Sequence, residues 1–201
     1  MSTKEFPYGH DADLLWLQSW YGKYHQLVGC KMVLLPGRLT SLKGVSELEL
    51  WLKSEANDAK LVLTANPEND AYAAKLLHWF EQIGVSHRVV WVGIQTTMVE
   101  LYAVADVVLN CSVRPESFGR TVAESLAVGT PVVAYNHGGV AEVLEPVFAQ
   151  GLVAVGDKQG LSTKINKVLQ DAPEVPNKQP FLVENMLRQT LAVYKELLDE
   201  Y

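Results

Sequence analysis

Two glutamates with seven residues between them, Glu116-Ser-Phe-Gly-Arg-Thr-Val-Ala-Glu124, lie where an apolar strand hands over to a helix. Val107-Val108-Leu109 reads as a buried parallel strand. Cys111 to Pro115 reads as a turn, because proline at position 115 excludes continued helix and a central strand alike. From Phe118 onward, Val122, Leu126 and Val128 with Ala123 and Ala127 follow a helical pattern that Gly129-Thr130-Pro131 stops. Gly119 falls at the start of that helix, where backbone N–H groups are unpaired and the helix dipole is positive. Such a position favours an anion, for instance a phosphate. An ionised glutamate only accepts hydrogen bonds, so the two carboxylates suit neutral hydroxyl groups rather than the phosphate itself. Phosphate beside a polyhydroxylated ligand points to a sugar nucleotide.

A second constellation follows an earlier strand, in Pro36-Gly37-Arg38-Leu39-Thr40-Ser41-Leu42-Lys43-Gly44. Gly37 permits tight backbone geometry, while Arg38 and Lys43 set two cations at the edge of the strand. Arginine offers a planar fork for phosphate and lysine a movable point charge. The spacing is neither that of a P-loop nor that of a dinucleotide fingerprint. Each constellation also has a plainer reading. Arg38 and Lys43 alone could be solvated cations flanking a turn, and Glu116 and Glu124 alone could be acids complementing a helix dipole. Against that, the next strand ends in a similar glycine-bearing helix start, His137-Gly138-Gly139-Val140-Ala141-Glu142.

The elements that must carry these residues alternate along the chain. Short apolar runs at Met32–Leu35, Leu61–Thr64, Val89–Val92, Val107–Leu109, Val132–Ala134 and Leu152–Val155 are expected strands. Between and after them, Val45–Leu52, Ala71–Ile83, Thr97–Val104, Arg120–Val128, Val140–Leu144 and Leu161–Leu169 are expected helices. The strands lack polar alternation, which implies burial on both faces, the pattern of a parallel sheet wrapped by helices. The fold class is therefore α/β: a doubly wound, Rossmann-like parallel sheet of about six strands with helices on both faces. Residues 1–30 are expected to form a linker and an extra helix at Asp13–Leu27, bearing Trp16, Trp20, Tyr21 and Tyr24. Residues 31–170 form the Rossmann-like domain, and residues 171–201 a linker and a helix at Phe181–Leu198 that belong to it.

Composition excludes several functions. At 201 residues, 48% hydrophobic and 20% charged, the chain is an ordinary globular one with a sizeable core. Apolar runs are too short for a membrane helix, and because the first ten residues carry Pro7, Gly9 and no apolar stretch, a secretory signal is not expected there. A formal net charge of −6 without a basic run disfavours nucleic acid as a partner. Cys30 and Cys111 stand beside strands rather than in a disulfide framework, so the expected location is the reducing cytoplasm. The five histidines are scattered and no metal-ligand cluster is evident. Only His137, at the ligand edge, has a position that invites a role.

The order of these motifs is specific. Gly37-Arg38 with Lys43-Gly44, Ala105-Asp106-Val107-Val108, Pro115-Glu116-Ser117-Phe118-Gly119 with Glu124, Gly129-Thr130-Pro131-Val132-Val133-Ala134 and Gly138-Gly139 with Glu142 occur in sequence. In that order they resemble the C-terminal half of the retaining family-4 (group 1) glycosyltransferases, whose GT-B architecture sets two Rossmann-like domains across a cleft. The likeness spans Met32 to Leu144. It extends more weakly to the last helix through Phe181, Met186, Leu191 and Tyr194.

The resemblance implies a donor-binding domain for a nucleoside diphosphate sugar, with no cofactor and no metal. Arg38, Lys43 and Glu116 would be the catalytic set, the two cations on the diphosphate and Glu116 on sugar hydroxyls. Donor binding would fall to Gly37, Phe118, Gly119, Arg120 and Thr121 near sugar and phosphate, to Glu124 on the ribose diol, and to Ile94 beside the base. The acceptor domain would be missing, so this chain alone would bind donor without turning it over, and membrane association would come only through the other half. Two segments depart from the family pattern: Leu63-Thr64-Ala65-Asn66-Pro67, where a glycine-bearing turn is usual, and the aromatic stretch Trp16 to Tyr24. A non-catalytic sugar-nucleotide module and another GT-B enzyme, such as a nucleotide-sugar 2-epimerase, remain alternative readings.

Overall fold

The structure is a computed structural model that describes residues 2–54, 58–178 and 180–199. Six strands, β1 (Met32–Leu35), β2 (Lys60–Leu63), β3 (Val89–Trp91), β4 (Val107–Asn110), β5 (Val132–Tyr135) and β6 (Leu152–Val153), form one sheet. Their order is β3-β2-β1-β4-β5-β6, and every neighbouring pair is parallel. The direction of winding reverses between β1 and β4, which is where doubly wound sheets bind ligands, beyond the C-terminal strand ends.

Strand periodicity sorts the core into two layers. Met32, Leu34, Val62, Val90, Val108, Val132 and Ala134 point to one face, and Val33, Leu35, Leu61, Leu63, Val107, Leu109, Val133 and Tyr135 to the other. The first face is covered by α1 (Leu14–Lys23), α4 (Met98–Val104), α5 (Arg120–Val128) and α6 (Gly138–Phe148). The second is covered by α2 (Glu49–Lys53), α3 (Ala71–Gln82) and α7 (Lys158–Asp171). The last helix, α8 (Val183–Asp199), follows a linker and keeps its apolar residues exposed.

The elements agree with the sequence pattern, and the boundaries that differ have local causes. The expected helix at Val45–Leu52 is a 3-10 turn over Val45–Leu48 running into the short α2. Asp13–Leu27 divides in the same way: Asp13 caps α1 through the N–H groups of Leu15 and Trp16, Tyr24 leaves helical geometry, and His25–Leu27 make a 3-10 turn. The helix expected at Val140–Leu144 is longer at both ends and passes through Pro146, since burying Val147 and Phe148 rewards continuing past it. β6 stops at Val153 instead of Val155, because only Ala134 and Tyr135 of β5 are left to pair with it. Cys30 and Cys111 are both free thiols.

Candidate functional site

Helix starts differ in how they are capped, and α2 and α4 begin without a side-chain cap. α1, α3 and α7 begin at Asp13, Asp70 and Asp157, whose carboxylates accept from their own first-turn N–H groups. α5 begins at Gly119, in left-handed geometry (φ 79°), with no side-chain cap. Its first N–H groups, on Arg120 and Thr121, have no intrahelical partner by construction. A side chain cannot replace that glycine, since a Cβ there would lie 2.7 Å from Val140 Cγ2. α6 also starts without a side-chain cap, after His137.

Two adjoining cavities open at this edge. One, of about 690 Å³, runs from the turn after β1 (Pro36, Gly37, Arg38) past the loop after β3 (Gly93, Ile94, Gln95) to Arg120 and Thr121. The second, of about 660 Å³, shares Gln95, Met98 and Arg120 and reaches Phe118 and Glu124. A smaller cavity of about 390 Å³ lies at the opposite strand edge, around Arg88. That arginine already donates to the carbonyls of Trp51, Leu52, Ser54 and Ala59, which makes it a packing clamp and not a ligand group.

Of the residues singled out in the sequence, Gly37, Arg38, Ile94, Arg120 and Thr121 line the first cavity, and Phe118, Arg120 and Glu124 the second. Arg38 is exposed there, and Ile94 is 88% exposed. Gly37 donates its N–H to the Thr64 hydroxyl at 2.8 Å, so the turn carrying Arg38 is tied to the loop after β2. That loop lines the cavity with Thr64, Ala65 and Asn66. Lys43 and Glu116 line neither cavity. They meet as an ion pair of 2.6 Å, each 24% exposed, across the β1–β4 boundary.

The electrostatics of the two glutamates diverge. Burial pushes the Glu116 carboxyl up, but hydrogen bonds from Lys43 and Ser112 and the lysine charge outweigh it and hold the group below the usual carboxylate range. Glu124 is almost fully buried, and there desolvation wins: its carboxyl lies above the usual range despite the Tyr102 hydrogen bond and the Arg120 guanidinium. One oxygen of Glu124 accepts from the Tyr102 hydroxyl at 2.9 Å and the other pairs with Arg120 at 2.9 Å. Each oxygen keeps a lone pair for a further donor, as a vicinal diol requires. Burial and the adjacent carboxylate push the Tyr102 hydroxyl well up, so it stays protonated and donates.

Tyr102, Ser112 and Thr64 were missed in the sequence. Tyr102 reads there only as a helix residue, and its link to Glu124 exists because α4 packs beside α5. Ser112 did leave a signal, since it stands four residues before Glu116 within the same turn. Among the described residues no group of three or more His, Cys, Asp or Glu is arranged to hold a metal ion, and no helix is long and apolar enough to cross a membrane.

A six-stranded sheet of this order, with its cavities beyond the β1 and β4 ends, defines a Rossmann-like ligand-binding domain. Within that class, the family model of the glycosyl transferases group 1 matches residues 25–180, and the chain belongs to that family. It is 30% identical over 206 residues to a protein of Methanocaldococcus jannaschii described as an uncharacterized glycosyltransferase, covering 94% of this chain and 51% of that one. The chain therefore spans about half the length of this curated relative. The fold matches a glycosyltransferase of Rickettsia africae with a TM-score of 0.79 at 21% identity, over 100% of this chain and 56% of that structure. It also matches Anabaena HepE, solved with UDP-glucose, with a TM-score of 0.71 at 24% identity over 85% and 46% of the two chains.

Proposed function

We propose that this chain is the donor-binding half of a retaining glycosyltransferase that takes a sugar from a nucleoside diphosphate, the acceptor half lying outside this sequence. The observation that carries the reading is the cavity of about 690 Å³ set between the Arg38 turn and the uncapped start of α5. It pairs a guanidinium with free helix N–H groups, the complement of a diphosphate. A buried diol acceptor, Glu124, lies one cavity further on. The UDP-glucose held by HepE, a protein of the same fold, supports the ligand class.

On this reading the base lies against the loop around Ile94 and the ribose hydroxyls donate to Glu124. The diphosphate takes Arg38 and the first turn of α5. Lys43 and Glu116, already paired, then face the two sides of the bond that breaks: the lysine the departing phosphate oxygen, the glutamate the sugar hydroxyls. As that bond breaks, its electrons move onto the phosphate oxygen. Charges and N–H groups already aimed there lower the barrier without reorganising. No divalent cation has a role in this scheme. Transfer needs the acceptor hydroxyl held about 3–3.5 Å from the anomeric carbon, which is the task of the other half.

Calorimetric titration of the chain with UDP, GDP and ADP, with and without EDTA, tests the reading. Saturable binding of one nucleotide, insensitive to EDTA, is the expected result. Binding of none of the three would remove the reading for this chain, and binding that EDTA abolishes would remove its metal-free form. Transfer activity gained on adding an acceptor half in trans separates an enzyme from a nucleotide-binding module.

A further inference from the structure

We propose that His137 and Ser112 are positioning residues for Glu116, so that the turn after β5 holds the carboxylate at the end of β4 in place. The inference rests on the proposed function only in assigning Glu116 to the sugar.

The chain of contacts is short. Ser112 Oγ donates to Glu116 Oε1, the same oxygen that pairs with Lys43. The Ser112 carbonyl in turn lies 2.7 Å from His137 Nε2. A carbonyl only accepts, so Nε2 carries the proton and the imidazole donates. His137 is thus linked to the carboxylate through one residue, without touching it. Lys43 and Ser112 both donate to the carboxylate, and the two contacts converge on one oxygen.

The backbone beside this link admits no slack. Gly139 N–H donates to the Glu116 carbonyl at 2.8 Å. A Cβ on Gly139 would lie 2.4 Å from the Ser117 carbonyl oxygen and 2.6 Å from Phe118 Cα, and one on Gly138 would lie 2.8 Å from the Glu116 carbonyl oxygen. These are backbone atoms, which cannot swing aside as a side chain would. The glycine pair therefore lets the start of α6 press directly onto the Glu116–Phe118 turn. The neighbouring His137 fixes the Ser112 end of the same turn. Both ends of the segment that carries Glu116 are gripped by one element. This accounts for the His137-Gly138-Gly139 sequence at a ligand edge where none of the three lines a cavity.

The test needs no ligand for its first arm. The Glu116 carboxyl is titrated by NMR on the full, carbon-13-labelled chain, in wild type and in Ser112→Ala, His137→Ala and His137→Gln. The midpoint is expected to rise in both alanine variants. It should return toward wild type in His137→Gln, whose amide nitrogen reaches about as far as Nε2. A midpoint unchanged in His137→Ala overturns the proposal. If that variant does not fold, His137→Phe, which keeps the ring and deletes the donor, takes its place. In the second arm, affinities for UDP, GDP and ADP are compared with those for UDP-glucose, GDP-glucose and ADP-glucose. Ser112→Ala is expected to weaken the glucose conjugate about tenfold more than the bare nucleotide, the scale of one charge-assisted hydrogen bond. Equal losses for both ligands, or a wild type indifferent to the sugar, overturn the positioning of Glu116 toward sugar. If wild type binds none of the six, the proposed function falls while the ligand-free titration still decides the link.

Discussion

Arg38 is the residue on which most of the candidate site's affinity should depend. It lines the larger cavity, is exposed, and has no ion-pair partner among the described residues. Its replacement by alanine therefore costs no fold contact, and the loss should appear in binding alone. Arg38→Ala is expected to lower the affinity for the nucleoside diphosphate that binds by about 1.5–3 kcal/mol, read by titration, with an unchanged melting temperature. Unchanged affinity would take the diphosphate away from this turn. Glu124 makes a second, chemically selective prediction. Glu124→Ala should penalise ribonucleotides more than their 2′-deoxy forms. Tyr102→Phe should do the same more weakly, since the carboxylate survives there but loses one of its two anchors. Equal losses for both sugars would leave Glu124 as a helix-start acid. Glu116 adds a pH dependence whose sign follows from its lowered pKa. Its folded-state proton affinity is below the unfolded value near about 4.3, so its contribution is complete above that pH and is lost as pH falls through the folded value. Acid unfolding of Glu116→Gln should therefore be flatter below about pH 4 than that of wild type.

At the scale of elements, α1 is a prop for the loop that would meet the base. Trp16 stacks on Trp20 and Trp20 meets Tyr24 at a tilt, with ring centroids 4.9 and 4.5 Å apart. This aromatic row ends in two polar contacts: Trp16 Nε1 donates to the Thr97 hydroxyl and the buried Tyr24 hydroxyl to the Val92 carbonyl. These residues bracket Gly93, Ile94 and Gln95, which line the larger cavity. The aromatic segment, which precedes the residues matched by the family model, thus has a packing role with a consequence for the site. Tyr24→Phe should cost about 1 kcal/mol of stability, one buried hydrogen bond, in denaturant unfolding. It should also weaken a nucleoside diphosphate while leaving inorganic diphosphate unaffected; parallel losses would show that the loop has no part in base binding.

At the scale of the whole molecule, the sheet domain and α8 differ in how they are held. The sheet is filled on both faces, while Met186, Leu187, Leu191, Tyr194, Leu197 and Leu198 of α8 are each more than half exposed. An element that buries so little contributes little to cooperative unfolding. Deleting residues 183–201 should shift the melting temperature by no more than about 2–4 °C, the scale of 1 kcal/mol in a domain of this size. A larger drop would mean that α8 supports the sheet. The linker keeps one tie to the site, an edge-on contact of Phe181 with Phe118, ring centroids 5.8 Å apart.

The sequence by itself determined the layered fold and the edge where chemistry gathers. Apolar runs too dense to alternate, such as Val107-Val108-Leu109, can only be buried on both faces. Gly119 and Pro115 punctuate the chain at the strand-to-helix turn through their own backbone restrictions. These are local properties, and the chain carries them in any context. The tertiary structure alone decided which groups meet. Lys43 reaches Glu116, 73 residues further along the chain, because β1 and β4 are neighbours that carry their turns side by side. Tyr102 reaches Glu124 because α4 and α5 pack on one face, and His137 reaches Ser112 because β4 and β5 end together. Such pairings depend on the order in which strands assemble in space, and no spacing along the chain encodes that order.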